Sequence, residues 1–231
     1  MIPYLVILNY SDDRRVNYVN NQIATFSDKE FHIIPAILPA GLKDFIVENS
    51  IVIDKGRYLS AKLACYLSHY LAFDTIVKNG YDNAIVLEDD FVFFDNHDEQ
   101  IAGILEEIPA DYDIVRLYYN NYKISPISGK KFIGKQNSVT GDIGNLVSLK
   151  GAEKIRAEFK TVEYEDILSE YTLSGFISND IQIYKMGLNS KLISFNSVNV
   201  VVGTLGDLNK NTPGPLGSTI NNKTEYYIQS E

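Results

Sequence analysis

Cysteine occurs once in this chain, tryptophan not at all, and basic residues are outnumbered 30 to 21 by acidic ones. The single Cys65 excludes an intramolecular disulfide and a thiolate zinc cluster, and it suits a reducing compartment. Taken alone it reads as a small core residue. A net charge of −9 argues against nucleic acid or an anionic membrane surface as the main partner, because both call for basic patches. A nucleotide carried with its metal stays allowed. No run approaches the roughly 18 apolar residues that cross a bilayer. Met1 to Leu8 lacks a positively charged leader, so it reads as a first strand and not as a signal peptide. The expectation is a cytoplasmic protein, with peripheral attachment to the inner membrane face left open.

What is present is an ordinary globular composition, 45% hydrophobic and 22% charged, which supplies one domain over residues 1–231. Ile2 to Leu8 reads as a strand, Asp13 to Phe26 as a helix, and Phe31 to Leu38 as an irregular edge strand broken by Pro35 and Pro39. Asp54 to Tyr58 is a polar connection. The clearest helix begins at Ser60, carries Leu63, Leu67 and Leu71 on one face and closes at Lys78 and Gly80. Ala84 to Leu87 follows as a buried strand. Further helices are expected at 99–108, 151–159 and 178–186, with strands at 112–117, 145–149 and 191–202. Residues 118–140 read as loops or a hairpin, and 203–231 as a flap or flexible tail rich in Gly, Pro and Asn. Alternating strands and helices favour an α/β fold with a mostly parallel sheet and helices on both faces.

The most telling segment is Glu88-Asp89-Asp90, three carboxylates directly after the apolar strand. Charges at that end of a strand sit at the crevice where open α/β sheets bind ligands. Two like charges about 5 Å apart repel by roughly 3 kcal/mol at an effective dielectric near 20. Clustered carboxylates that are not freely solvated therefore share a cation or a proton. Hard oxygen donors suit Mg²⁺ or Mn²⁺. A solvated acidic turn is the other reading that these residues permit. Ser68 and His69 lie on the helix that feeds this strand, and His69 falls away from the centre of its leucine stripe. It is either a hydrogen-bonded structural histidine or a group turned toward a loop or ligand.

Tyr58 to His69, followed after a gap by Ile85 to Asp90, resembles glycosyltransferase family 25, which includes bacterial lipooligosaccharide galactosyltransferases and collagen galactosyltransferase domains. Four more stretches match in order. Leu8 to Arg15 resembles the family's opening strand and Ser-x-x-Arg-Arg loop, and Asp113 to Leu117 its next core strand. Gly141 to Lys154 resembles its Gly-rich turn, short strand and helix, and Ser178-Asn179-Asp180 stands where the family has a Pro-Val-Asp type motif. Lys62 departs from the pattern, standing where relatives commonly have Glu, so no role of that glutamate carries over.

The resemblance implies a GT-A type, Rossmann-like nucleotide-sugar-binding fold, a UDP-sugar donor and inverting transfer. It implies that Asp90 ligates Mn²⁺ or Mg²⁺, that Glu88 contacts the ribose or an outer-shell water, and that Asp89 faces the donor sugar. Asn9 and Arg14 become candidates for holding uracil and ribose or phosphate, for which the forked donors of Arg are suited. Ser68 and His69 are expected to shape the donor pocket. Arg116 supports the carboxylates or the sugar, or else forms a structural ion pair. Asp180 is the candidate base, with donor-sugar binding and helix capping as its other readings. The expected donor is UDP-galactose and the acceptor a lipooligosaccharide or other glycan, met by loops around 118–140 and 204–220. UDP-N-acetylglucosamine, UDP-glucose and a catalytically silent glycan-binding member are the alternatives. A Mg²⁺-dependent phosphohydrolase would need an Asp-rich nucleophile motif on the first strand, which is missing.

Overall fold

The computed structural model describes residues 1–53, 57–118, 124–135, 143–162, 179–204 and 225–227, with backbone alone at 57–59, 179–181 and 225–227. The first strand, β1 (Tyr4–Leu8), leads into α1 (Asp13–Thr25), whose first turn is capped by the Asp12 carboxylate accepting from the Arg14 N–H. Next come β2 (Phe31–Pro35), a 3₁₀ turn at Pro39–Gly41, α2 (Leu42–Glu48), β3 (Val52–Ile53) and β4 (Arg57–Leu59). The longest helix, α3 (Ser60–Asn79), ends at Gly80, whose φ of +65° is the left-handed conformation that closes a helix. It delivers the chain to β5 (Asn83–Glu88), β6 (Phe91–Phe93), α4 (His97–Glu107), β7 (Ile114–Arg116) and β8 (Ile133–Lys135). The remaining elements are β9 (Gly144–Ser148), α5 (Leu149–Phe159), β10 (Thr161–Val162), α6 (Asn179–Leu188), β11 (Ser194–Ser197), β12 (Val202–Thr204) and β13 (Glu225–Tyr227).

Seven strands form the central sheet in the order β2-β1-β5-β9-β7-β11-β8. Five of them point one way. β9 runs antiparallel between β5 and β7, and β8 antiparallel at the edge beside β11. Strand alternation sends successive side chains to opposite faces, and each face has its own core. Leu5, Ile7, Val86, Ile114 and Val147 pack with Leu63, Leu67 and Phe73 of α3 and Ile155 and Phe159 of α5. Val6, Leu8, Ile85, Leu87 and Leu146 pack with Val19 of α1 and Ile101 and Ile104 of α4. This is the α/β, GT-A type arrangement that the resemblance implies, with helices on both faces. Each fully buried Leu or Phe contributes about 1.5–3 kcal/mol to holding these layers together.

Two buried carboxylates tie the helices down. Asp74 of α3 pairs with Arg156 of α5 at 3.0 Å and with Lys78 at 2.6 Å. Asp113, just before β7, accepts from Lys154 at 2.5 Å and from the Ile193 N–H at 2.7 Å. The Ser148 hydroxyl donates to the Tyr112 carbonyl and accepts from the Gly151 N–H, so one side chain caps α5 and fixes it against β7.

Several elements differ from the sequence expectation for local reasons. Pro35 ends an edge strand as expected, because it lacks a ladder donor. α2 and the short strands β3, β6 and β10 are additions, each too short for periodicity to reveal. The stretch 191–202 divides between two sheets, β11 joining the central one and β12 pairing with β6. Tyr58 lies in β4, which pairs with β13, so part of the expected tail is sheet. Gly187 sits within α6, and the chain turns instead at Ser190, with φ +58°. The acceptor-loop expectations at 119–123, 136–140 and 205–220 lie outside the described residues.

A Cβ on Gly151 would meet the Asp113 carbonyl oxygen at 2.0 Å, a backbone contact that cannot swing away. Gly151→Ala is expected to cost about 3 kcal/mol, lowering Tm by about 6–12 °C. Gly41→Ala, with open space around it, should shift stability by no more than about 0.5 kcal/mol. Thermal melts followed by circular dichroism check both.

Candidate active site

The order β2-β1-β5 means that the chain leaves β1 to one side through α1 and returns to the other through α3. Carboxyl ends of strands at such a reversal leave a crevice. Here that crevice lies between Leu8-Asn9 and Glu88-Asp89-Asp90, since β1 and β5 pair up to Ile7 opposite Glu88.

The three acids have different surroundings. Asp89 is buried; one oxygen accepts from the Asn9 N–H at 2.9 Å and the other from the Arg15 guanidinium. The sequence expectation turned Asp89 toward a donor sugar, whereas both of its oxygens bind the β1 exit and α1. Glu88 is 28% exposed and lies on the α3 face, its Oε1 3.7 Å from His69 Nε2. Asp90, half-buried in the turn after β5, carries charge that reaches Tyr18, whose phenol burial and this carboxylate together push up to about 12. The Tyr18 hydroxyl therefore stays protonated and donates to the Phe91 carbonyl at 2.7 Å. Asp90 offers the hard carboxylate oxygens that Mg²⁺ or Mn²⁺ prefers.

Arg14 and Arg15 have opposite surroundings. Arg14 is 67% exposed and grips Asp12 at 2.7 Å, which holds that carboxyl down at about 2. Arg15 is the buried one, at 8%. The signal was in the sequence: Arg15 precedes buried Val19 by four residues, on the inward face of α1. The Asn9 side chain accepts from the Ser11 N–H and hydroxyl, forming an Asx turn that opens the loop to α1.

Ser68 is buried, donating to the Ala64 carbonyl at 2.7 Å and accepting from the Ile37 N–H at 2.8 Å. It thus ties α3 to the segment after β2. His69 is 1% exposed, and its Nδ1 lies 3.1 Å from the Cys65 carbonyl. Arg116 is fully buried and has Asn145 and Asn196 as its cross-strand neighbours on the face beneath α3. Sequence reading missed both asparagines: Asn145 stands near the start of β9 and Asn196 between Phe195 and Ser197 of β11, neither in a pattern that marks it out. Among the described residues the Asn196 amide and the Ser197 hydroxyl make no side-chain hydrogen bond. Asp180 is the second residue of α6, and its side chain lies outside the described residues.

A mostly parallel sheet with acidic side chains at its strand-order reversal, beside an inserted antiparallel strand, places the chain among the α/β proteins that carry a crevice at that point. Within that class, residues 1–168 match the model of glycosyltransferase family 25 (LPS biosynthesis protein), and the chain belongs to that family. It is 25% identical to a "Glycosyltransferase 25 family member" of Aedes aegypti, over 67% of this chain and 28% of that protein. It is 27% identical to "Procollagen galactosyltransferase 1" of Danio rerio, over 56% of this chain and 24% of that one. A Bos taurus relative, "Probable inactive glycosyltransferase 25 family member 3", is 24% identical over 56% of this chain and 25% of its own length. The chain spans about a quarter of the length of these relatives. No helix among the described residues is long and apolar enough to cross a membrane.

The buried Arg15–Asp89 pair and the exposed Arg14–Asp12 pair make opposite demands. Removing one partner of a buried pair strands the other charge and costs about 3–5 kcal/mol, whereas exposed pairs are worth about 0–1 kcal/mol. Arg15→Met should therefore lower the urea-unfolding free energy by about 3–5 kcal/mol, and Arg14→Met should leave it nearly unchanged. Equal losses in the two variants would overturn the assignment of Arg15 as the anchor.

Proposed function

We propose that this protein transfers galactose, with inversion, from UDP-galactose to a glycan acceptor of the lipooligosaccharide type, using Mn²⁺ or Mg²⁺. The observation that carries the reading is the cluster Glu88, Asp89 and Asp90 at the carboxyl end of β5, where the strand order reverses. Membership of glycosyltransferase family 25 supports sugar transfer, and the galactosyltransferase name of the Danio rerio relative supports galactose. The LPS biosynthesis wording of the family description supports the acceptor class.

In this reading Asp90 holds the divalent ion, which when bound supplies Lewis-acid neutralisation of the departing diphosphate. Asn9 and Arg14 flank the start of α1 and hold the uridine and its phosphates, Arg14 exchanging the Asp12 carboxylate for a phosphate. Glu88 receives the ribose or sugar hydroxyls. Asp89 is a positioning residue that fixes the β1 exit against the β5 exit through Arg15 and Asn9. Ser68 and His69 shape the pocket wall, and Arg116, with Asn145 and Asn196, forms its polar floor. Asp180, in the first turn of α6, takes the proton of the acceptor hydroxyl as its oxygen attacks the anomeric carbon and the bond to UDP breaks. The same scaffold would accept UDP-N-acetylglucosamine or UDP-glucose if the floor were shaped for them. The name of the Bos taurus relative favours a second reading, a member that binds the nucleotide and glycan without turnover.

A panel of UDP-sugars with Mn²⁺, read as UDP release and product mass, tests the reading. Turnover should be highest with UDP-galactose. Asp90→Asn should lower kcat/KM by about 10²–10³-fold with an unchanged circular dichroism spectrum. Asp180→Asn should lower kcat by about 10²–10⁴-fold while calorimetric binding of UDP with Mn²⁺ is preserved. Binding of UDP without turnover of any donor would select the silent reading.

A further inference from the structure

Cys65 and His69 are four residues apart on α3 and so share one face of that helix. Glu88, at the end of the strand beneath, brings a carboxylate to the same spot, and one ligand atom from each residue lies within 4.8 Å of the other two. His69 Nδ1 is 3.1 Å from the Cys65 carbonyl, which can only accept, and 4.0 Å from Cys65 Sγ; with its proton on Nδ1, the neutral ring carries its lone pair on Nε2. Nε2 then faces Glu88 Oε1 at 3.7 Å. An imidazole lone pair and a carboxylate oxygen repel each other unless a proton or a cation lies between them. The Nδ1 donation to a backbone carbonyl is also the support that metal-bound histidines generally have.

We infer that Cys65, His69 and Glu88 form a binding site for a thiophilic divalent cation of the Zn²⁺ class, separate from the hard-oxygen position at Asp90. Tetrahedral Zn²⁺ with one sulfur, one nitrogen and one oxygen ligand sets its ligand atoms about 3.3–3.6 Å apart. Drawing the three side chains together by about an ångström therefore closes the site. His69 is buried and rigidly held, whereas Cys65 and Glu88 are partly exposed, which leaves a path for the ion and a position for a fourth ligand. Mg²⁺ and Mn²⁺ prefer all-oxygen shells and are poor occupants. An ion there would engage Glu88, so any effect on turnover rests on the donor role proposed for that residue. Occupancy does not.

Co²⁺ titrated into the reduced full chain tests the site by absorption. Because the chain has a single cysteine, a thiolate-to-Co²⁺ charge-transfer band reports on Cys65 alone. The expected result is a band saturating at one equivalent, with the visible bands of tetrahedral Co²⁺, displaced by Zn²⁺. Cys65→Ser should abolish it, His69→Gln and Glu88→Gln should weaken binding at least about 10-fold, and Asp90→Asn should leave it unchanged. In the unaltered protein, Zn²⁺ should slow alkylation of Cys65 by iodoacetamide. No charge-transfer band at saturating Co²⁺, alkylation indifferent to Zn²⁺, or a band of full affinity in His69→Gln and Glu88→Gln would each overturn the site. These readouts do not depend on whether the chain transfers a sugar.

Discussion

The structure around the crevice depends on one buried carboxylate. Asp89 joins three segments at the crevice: the exit of β1 through the Asn9 N–H, the first turn of α1 through Arg15, and the exit of β5 through its own backbone. Burial makes this pair obligatory rather than generous, because either charge alone would be stranded in a poorly solvated place. Alternation along the strand does the rest. With Asp89 turned to the α1 face, Glu88 must point to the α3 face, and Asp90 is left to the turn. Three consecutive acids thus become three groups with separate surroundings.

The sheet is graded along its length. At one end the face beneath α3 and α5 is wholly apolar, with Ala84, Ile114 and Val147 fully buried. Two residues further along the same strands, that face carries Arg116 and Asn145, with Asn196 beside them on β11. A guanidinium and two amides placed on a buried sheet face break the rule that governs the rest of the core. Such local breaches concentrate where a protein trades stability for a site. Ser68 follows the opposite logic. Its hydroxyl is engaged within the fold, and it contributes by holding α3 to the segment after β2.

Much of this was legible in the sequence because it is encoded locally. The apolar strand ending in Glu88-Asp89-Asp90 and the long helix bearing Ser68 and His69 each follow from neighbouring residues. What was not legible depends on pairing between distant segments. Arg15 follows the inward face of α1, but nothing local names Asp89, 74 residues beyond it, as its partner. Asn145 and Asn196 became a polar row only when β7 brought Arg116 between them. Short elements such as β6 and β12 exist because they pair with each other, and neither has a periodic signature of its own.

The antiparallel β9 has a consequence for how the molecule forms. β5 and β7 are consecutive strands of the central sheet in the chain yet do not touch; the strand between them arrives later, after residues 118–142 have been made. It must enter a slot bounded on both sides, and its register is judged by two neighbours at once. A slip of one residue would carry Asn145 and Val147 to the α1 face and Leu146 to the other, exchanging a polar floor for an apolar one and burying the wrong groups in both cores. The seam of the sheet is therefore its proofreading step. A chain that closes it correctly has, in the same act, lined up Asn145, Arg116 and Asn196.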